Sequence, residues 1–302
     1  MATNTSPTQA APAVPALQRD EGRRAPLLDL LSRLFRTKPA GAFGLVVVAI
    51  MLVTAAAAPL IAPYEPADPG GPRLSNPTAD HIMGTDNTGR DIFSRVVYGA
   101  RVAISVGFGA VTISTVLATT IGVTTGYFGG WFDAIVMRVV DVFFAFPFYV
   151  LVIVLVFVFG SGEKSIYLAI AAVSWVAYAK IMRGELLVAK KQDYVVAARL
   201  GGMSHARILV RHIAPNVLSQ ALIYAMSDIV MDILAIVTLG YLGLGIAPPT
   251  AEWGSMILDG QEFITTLWLQ ATIPGLAVVV TSLGLSLLGD GLSDLLSPER
   301  RK

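Results

Sequence analysis

The chain has 302 residues, 54% of them hydrophobic and 14% charged, with a formal net charge of +1 and no cysteine. Soluble domains carry roughly a quarter charged residues, so this composition excludes an ordinary soluble enzyme and indicates a chain dissolved in lipid. Without cysteine there is neither a disulfide framework nor thiol chemistry.

Residues 1–26 are rich in Ala, Pro and Thr and are expected to be disordered, within a basic tail that continues to residue 38. The first apolar run begins too far along the chain for an ordinary cleaved signal peptide, and an uncleaved signal anchor is the better reading. About twenty apolar residues in a helix cross a hydrocarbon core of roughly 30 Å. Charge-poor runs predict spans at about residues 41–62, 102–125, 139–160, 165–182, 217–240 and 267–289. The fourth is short and needs Lys180 to snorkel. Run length and the lack of strict alternation indicate helices rather than a barrel. The expected fold class is all-α: a polytopic membrane protein with six transmembrane helices, forming one domain over residues 39–298 between tails at 1–38 and 299–302. Pro147 and Pro274 fall inside spans, where neighbours compensate the lost backbone bond. Gly122 and Gly126, four apart on the second span, either allow close helix contact or merely suit an apolar helix.

The basic residues orient the chain. Seventeen of the 22 lie in the N-terminal tail, at Arg138, between Lys180 and Arg211, and at the C-terminus; the others are Arg73, Arg90, Arg95, Arg101 and Lys164. The positive-inside rule then places both termini and the polar segment 193–216 in the cytoplasm.

No enzyme site is legible. His81, His205 and His212 are scattered, with no Cys/His cluster, no HExxH and no GxxxxGK[ST] loop for a nucleotide phosphate. If ATP drives this protein, another chain must supply the ATPase. In the outer turn before the second span, Thr85 or Asp86 is suited to cap a following helix. Thr85, Asp86, Arg90 and Asp91 either dock an extracytoplasmic partner or simply order the chain's return into the membrane. Asp141, three residues from Arg138, reads as half of an i,i+3 ion pair.

The segment 193–216, DYVVAARLGGMSHARILVRHIAPN, interrupts two apolar runs. A first helix should stop at Gly201-Gly202, and Ser204 is placed to cap a second. Ile208, Leu209, His212 and Ile213 then share related faces opposed by Arg207 and Arg211, and Pro215 opens the next span. Two short helices joined by Gly-Gly make either a docking knob for a soluble partner or a hairpin lying on anionic lipid. Asp228 and Asp232, four apart, share one helical face inside the fifth span. Ionisable groups there are expensive and default to function. They either line a translocation path, where carboxylates attract a peptide's amino terminus, or hydrogen-bond a neighbouring helix. Pro248-Pro249 stiffens the last outer loop. Trp253 suits the headgroup interface, and Gly289-Asp290-Gly291 reads as the stop of the last span.

The order Ala197-Ala198, three residues, Gly202, nine residues and then His212-Ile213-Ala214-Pro215 resembles the EAA loop of ABC importer permeases. Four further segments resemble dipeptide/oligopeptide permeases of the C type: MGTDNTGRDIFSRVVYGARVAISVG (83–107); GYFGGWFD with MRVVDVFFAFP (126–147); YLGLGIAPPTAEWGSMI (241–257); and LLGDGLSDLLSP (287–298). The similarity runs from about residue 41 to residue 298, in the family order. On this basis the chain is identified as a member of the binding-protein-dependent transport system inner-membrane component family. The resemblance implies a type I ABC importer permease fold in a bacterial inner membrane. It implies coupling helices in 193–216 that seat in an ATPase through Ala197, Ala198, Gly202, Ile208, His212 and Pro215. Val196 stands where the family has Glu. The implied partners are a homologous second permease, two cytoplasmic ATPase subunits that bind ATP and Mg, an extracytoplasmic solute-binding protein and the lipid bilayer. No catalytic residue, cofactor, metal or nucleic acid is expected in this chain itself. Related permeases carry dipeptides, longer peptides, glutathione or nickel chelates. Peptide uptake is the main expectation and the other solutes the alternative. A proton-coupled carrier relaying through Asp228 and Asp232, or a scaffold that transports nothing, are the rival classes.

Overall fold

The computed structural model describes residues 27–160 and 162–296. The tail expected to be disordered at 1–26, Pro298 and the tail at 299–302 lie outside the described residues. Helices α1 (Leu27–Thr37) and α2 (Pro39–Ala56) are hinged at Lys38, whose Nζ forms an ion pair with Asp294 near the far end of the chain. Pro39 opens α2, where a missing amide hydrogen leaves no bond unmade. A one-turn α3 (Ala58–Ile61) leads into an outer loop, and α4 (Ile92–Phe128) follows. Next come α5 (Gly130–Phe144), α6 (Phe148–Phe159) and α7 (Glu163–Ala189). The short α8 (Asp193–Leu200) and α9 (His205–Ile208) pass through a π-type turn, Leu209–Ile213, into α10 (Ala214–Tyr241); α11 (Trp253–Gln261) and α12 (Leu269–Leu296) close the chain.

Among the described residues, five helices, α2, α4, α7, α10 and α12, are long and apolar enough to cross a membrane. A sixth crossing results if α5 and α6 count as one, but they meet at 92°. Pro147 lacks an amide hydrogen and forces Phe146 toward extended backbone, so the helix cannot continue. The run expected as the third span is therefore a broken element. By contrast α12 passes through Pro274 and also through Gly289-Asp290-Gly291, correcting the helix stop expected there. The glycines serve contact instead: a Cβ on Gly41 of α2 would lie 2.9 Å from the Gly291 Cα. Small residues let membrane helices approach to van der Waals distance, which drives their association in lipid. The α4–α7 pair uses the same device. A Cβ on Gly122 would lie 2.7 Å from the Ala179 carbonyl oxygen, and one on Gly126 would lie 2.7 Å from Leu186 Cδ2. Of the two readings of these glycines, close helix contact is the one realised.

The main core centres on α4, with Val106 and Ala110 against Ile166 and Ile170 of α7 and Ile229, Ile233 and Ile236 of α10, all buried. Apolar side chains such as Leu60, Phe157 and Val158 remain exposed, as they do on a surface solvated by lipid tails.

Candidate functional site

The outer loop is built around its carboxylates. Asp86 accepts hydrogen bonds from the Thr88 amide (2.8 Å), the Thr88 hydroxyl (2.7 Å), the Arg90 amide (3.0 Å) and Arg90 Nε (2.7 Å). Burial alone would raise this carboxyl, but those hydrogen bonds and the Arg90 charge hold it below the ordinary carboxylate range. Asp91 caps α4, accepting from the Ser94 amide at 2.8 Å and the Ser94 hydroxyl at 2.7 Å, and pairs with His81 Nδ1 at 2.9 Å. The cap is thus Asp91, not Thr85 or Asp86. Thr85 accepts from the Ser75 amide at 3.0 Å, and its own carbonyl accepts from Gln270 Nε2 of α12 at 3.0 Å. Arg90 reaches Asp259 of α11 at 3.7 Å, and Arg95 donates to the Pro66 carbonyl at 3.1 Å. Thr85, Asp86, Arg90 and Asp91 are respectively 0, 7, 7 and 2% exposed. They form the internal frame of the loop, and any docking protein would meet the surface they shape rather than these side chains.

Two neighbouring expectations are corrected. Trp253 is 1% exposed and donates to the Val96 carbonyl at 3.0 Å. It fills the space left by Gly99 instead of anchoring in headgroups. Glu252 caps α11, accepting from the Gly254 amide at 2.6 Å and the Ser255 amide at 2.8 Å. Burial pushes its carboxyl up to about 7 against the pull of those amides.

On the opposite side, α8 and α9 fold into a knob. Its inner face is Val195, Ala198, Ile208 and Ile213, buried against Val123 and Tyr127 of α4 and Met182 and Leu186 of α7. Gly202 takes φ +75°, a left-handed conformation that lets the chain turn from α8 to α9. Ser204 occupies the N-cap position without a side-chain hydrogen bond. Two contacts that the sequence did not disclose hold the end of α4, one to the knob and one to the C-cap of α7. The Tyr127 hydroxyl lies 2.8 Å from His205 Nδ1, and Lys190 donates to the Tyr127 carbonyl at 2.6 Å. These partners are far apart in the chain, so no local pattern marks them. Of the residues expected to couple, Ala198 and Ile208 are buried, His212 and Pro215 are half-buried, and Ala197 and Gly202 are exposed. On the outer side the apolar Tyr194, Val196, Leu200, Met203 and Val210 stand exposed among the equally exposed Asp193, Arg199, Arg207 and Arg211. At the Glu position of the family motif, Val196 extends this apolar surface.

Between these ends lies a cavity of about 490 Å³. The α5–α6 bend supplies Phe143, Phe144, Phe146, Phe148 and Tyr149, α7 supplies Ser174, and α10 supplies Asp228, Met231 and Asp232. Asp232 is 0% exposed and accepts from the Ser174 hydroxyl at 3.0 Å. Asp232 is therefore hydrogen-bonded to a neighbouring helix, as one reading of the aspartate pair had it, and both aspartates line this cavity. Asp141 pairs with Lys180 of α7 at 2.7 Å, correcting the Arg138 pair read from i,i+3 spacing. Arg183 of α7 clamps Asp133 of α5 through two bonds of 2.6 and 2.5 Å.

Comparison with known proteins agrees with this architecture. Residues 118–302 match the family described as binding-protein-dependent transport system inner membrane component, and residues 27–80 match the N-terminal TM domain of oligopeptide transport permease C. The chain is 35% identical over 260 residues to the dipeptide transport system permease protein DppC of Alkalihalophilus pseudofirmus, covering 85% of each chain. It is 37% identical to the glutathione transport system permease protein GsiD of Pectobacterium atrosepticum, over 93% of this chain and 94% of that one. It is 36% identical to a putative peptide transport system permease protein of Brucella suis, over 91% of this chain and 93% of the relative. With several helices apolar enough to span a membrane, a knob between two of them and matches of this extent, the chain belongs to the binding-protein-dependent transport system inner membrane component family.

Proposed function

We propose that this permease is the C-type half of a peptide importer and moves di- or oligopeptides inward across the cytoplasmic membrane. A homologous permease completes the pathway, two ATPase subunits bind ATP and Mg and do the hydrolysis, and a solute-binding protein delivers the cargo to the outer loop. Both termini and the knob 193–216 face the cytoplasm, as the distribution of basic residues supports. Closure of the ATPases on ATP pushes the knob, and the packed helices rock as rigid bodies because tight packing is bistable rather than pliable. Belonging to a binding-protein-dependent family sets aside the proton-coupled carrier and the non-transporting scaffold.

The observation that carries this reading is the two-faced knob. One face is locked into α4 and α7, and the other presents Leu200 at 84% exposure and Val210 at 70%. A lone chain gains nothing from showing that surface to water, whereas a groove in a soluble partner would bury it. The test is affinity purification of the detergent-solubilised assembly. Two nucleotide-binding chains should co-purify, and Gly202→Pro should release them while the permease still inserts, since proline cannot adopt the φ of +75° found there. A permease that inserts but brings down no ATPase would sink the proposal.

A second reading, glutathione import, is supported by the relatives named as glutathione permeases at 37–38% identity. Mass spectrometry of the ligand on the cognate binding protein separates it from peptide import.

A further inference from the structure

We propose that the cavity at the α5–α6 bend receives the ammonium group of the transported solute, held by Asp228 and Asp232 against an aromatic wall. The inference rests on the importer reading and names the chemistry that the pathway recognises.

The first support is an acidic pair without a basic partner. Asp228 and Asp232 both line the cavity, the buried Tyr178 hydroxyl lies beside Asp228, and no lysine or arginine among the described residues comes to either carboxylate. Lys180, whose ammonium lies over the Phe144 ring, is committed elsewhere: its Nζ is paired with Asp141 at 2.7 Å. The second support is an unmet bond. The Ser174 hydroxyl satisfies Asp232 Oδ1 at 3.0 Å, but Oδ2 of this fully buried residue has no hydrogen-bond partner. A buried carboxylate oxygen left unsatisfied is costly, and an ammonium, with three donors and a positive charge, meets both deficits. The third support is the wall. Phe144, Phe146 and Tyr149 face the same space and are 58, 54 and 40% exposed. Aromatic faces attract cations, and Phe144 already does so, with the Lys180 ammonium 4.5 Å from its ring centroid. The arrangement selects for a free amino terminus, which peptides and glutathione share, and is indifferent to side chains further along the solute.

The absence of cysteine from this chain makes the test direct. Met231 lines the cavity and is 62% exposed, so Met231→Cys introduces a single thiol there. The assembled transporter, with its partner permease and ATPases, is labelled with a trimethylammonium-ethyl or a sulfonatoethyl methanethiosulfonate. Confined like-signed charges enrich counter-ions by about tenfold or more. The cationic reagent should therefore outpace the anionic one by about tenfold, after correction for their rates with a free thiol. Dialanine should slow the labelling and N-acetyl-dialanine should not. The double change Asp228→Asn and Asp232→Asn should abolish both effects while the ATPases still co-purify. Labelling indifferent to reagent charge, a preference surviving the double change, equal protection by the two peptides, or a thiol sealed off by the partner permease would each overturn the inference. Peptide uptake in the same vesicles keeps the two readings apart. Retained uptake with no charge preference removes only the ammonium site, and lost uptake in the unaltered assembly with the preference intact counts against peptide transport alone.

Discussion

Leu200→Ala isolates the exposed face of the knob from the fold. Leu200 ends α8, is 84% exposed and belongs to none of the buried clusters. Truncating such a side chain changes the stability of the permease by no more than about 0.5 kcal/mol. If an ATPase groove buries it, the change removes three carbons from that contact at about 0.8 kcal/mol each, or about 2 kcal/mol in all. That converts to about 30-fold weaker association. Ile208→Ala is the counterpart: Ile208 is 0% exposed, so its loss acts inside the knob and costs the permease itself roughly 2–5 kcal/mol. The assay is titration of purified ATPase onto detergent-solubilised permease, with thermal melting of each variant alongside. Leu200→Ala should weaken binding at an unchanged Tm, whereas Ile208→Ala should lower the Tm. Binding by Leu200→Ala within twofold of the unaltered chain would refute the assignment of this face to the ATPase.

Three other outcomes follow from distances in the structure. In Gly122→Ala the new methyl meets the Ala179 carbonyl oxygen at 2.7 Å and the Arg183 amide nitrogen at 2.9 Å, backbone atoms that cannot step aside; it should lose about 1–3 kcal/mol in a detergent unfolding titration. Gly126→Ala meets the end of the Leu186 side chain at 2.7 Å and backbone, the Arg183 carbonyl oxygen, only at 3.3 Å, and should lose less; equal losses at the two sites would contradict this account of the α4–α7 contact. Asp91→Ala deletes the cap of α4 and strands His81 and Ser94, so the melting temperature should fall by an amount corresponding to roughly 2–3 kcal/mol. Glu252 is a carboxyl whose folded value, about 7, lies above its ordinary 4.5. Between those values the folded state binds the extra proton, so stability falls as pH rises from about 4.5 to about 7. Hydrogen exchange at the amides of α11 should accelerate over that window beyond the intrinsic rate, and Glu252→Gln should flatten the excess.

Membership of a membrane-transport family, the all-helical class and the lack of any phosphate-binding loop were legible in the chain because they rest on composition, run length and short contiguous motifs. Local chemistry was less reliable wherever several roles were open to one residue. Thr85 and Asp86 were the caps read from the sequence, and the trajectory of the outer loop instead makes Asp91 the cap. Trp253 fits an interface by its amphipathic ring, yet Gly99 makes a pocket that buries it. Arg138 stood at helical spacing from Asp141, but Lys180, 39 positions away, takes the carboxylate.

What the sequence alone determined is a matter of solvent: apolar runs must cross lipid, whatever the helices later touch. Tertiary structure alone decided which glycines are contacts, which polar residues are frame rather than surface, and that Asp228, Asp232 and five aromatic side chains meet around one space. Those outcomes depend on how separate helices lie against each other. That arrangement is set by van der Waals contact among residues distant in the chain, and no periodicity within a single helix encodes it.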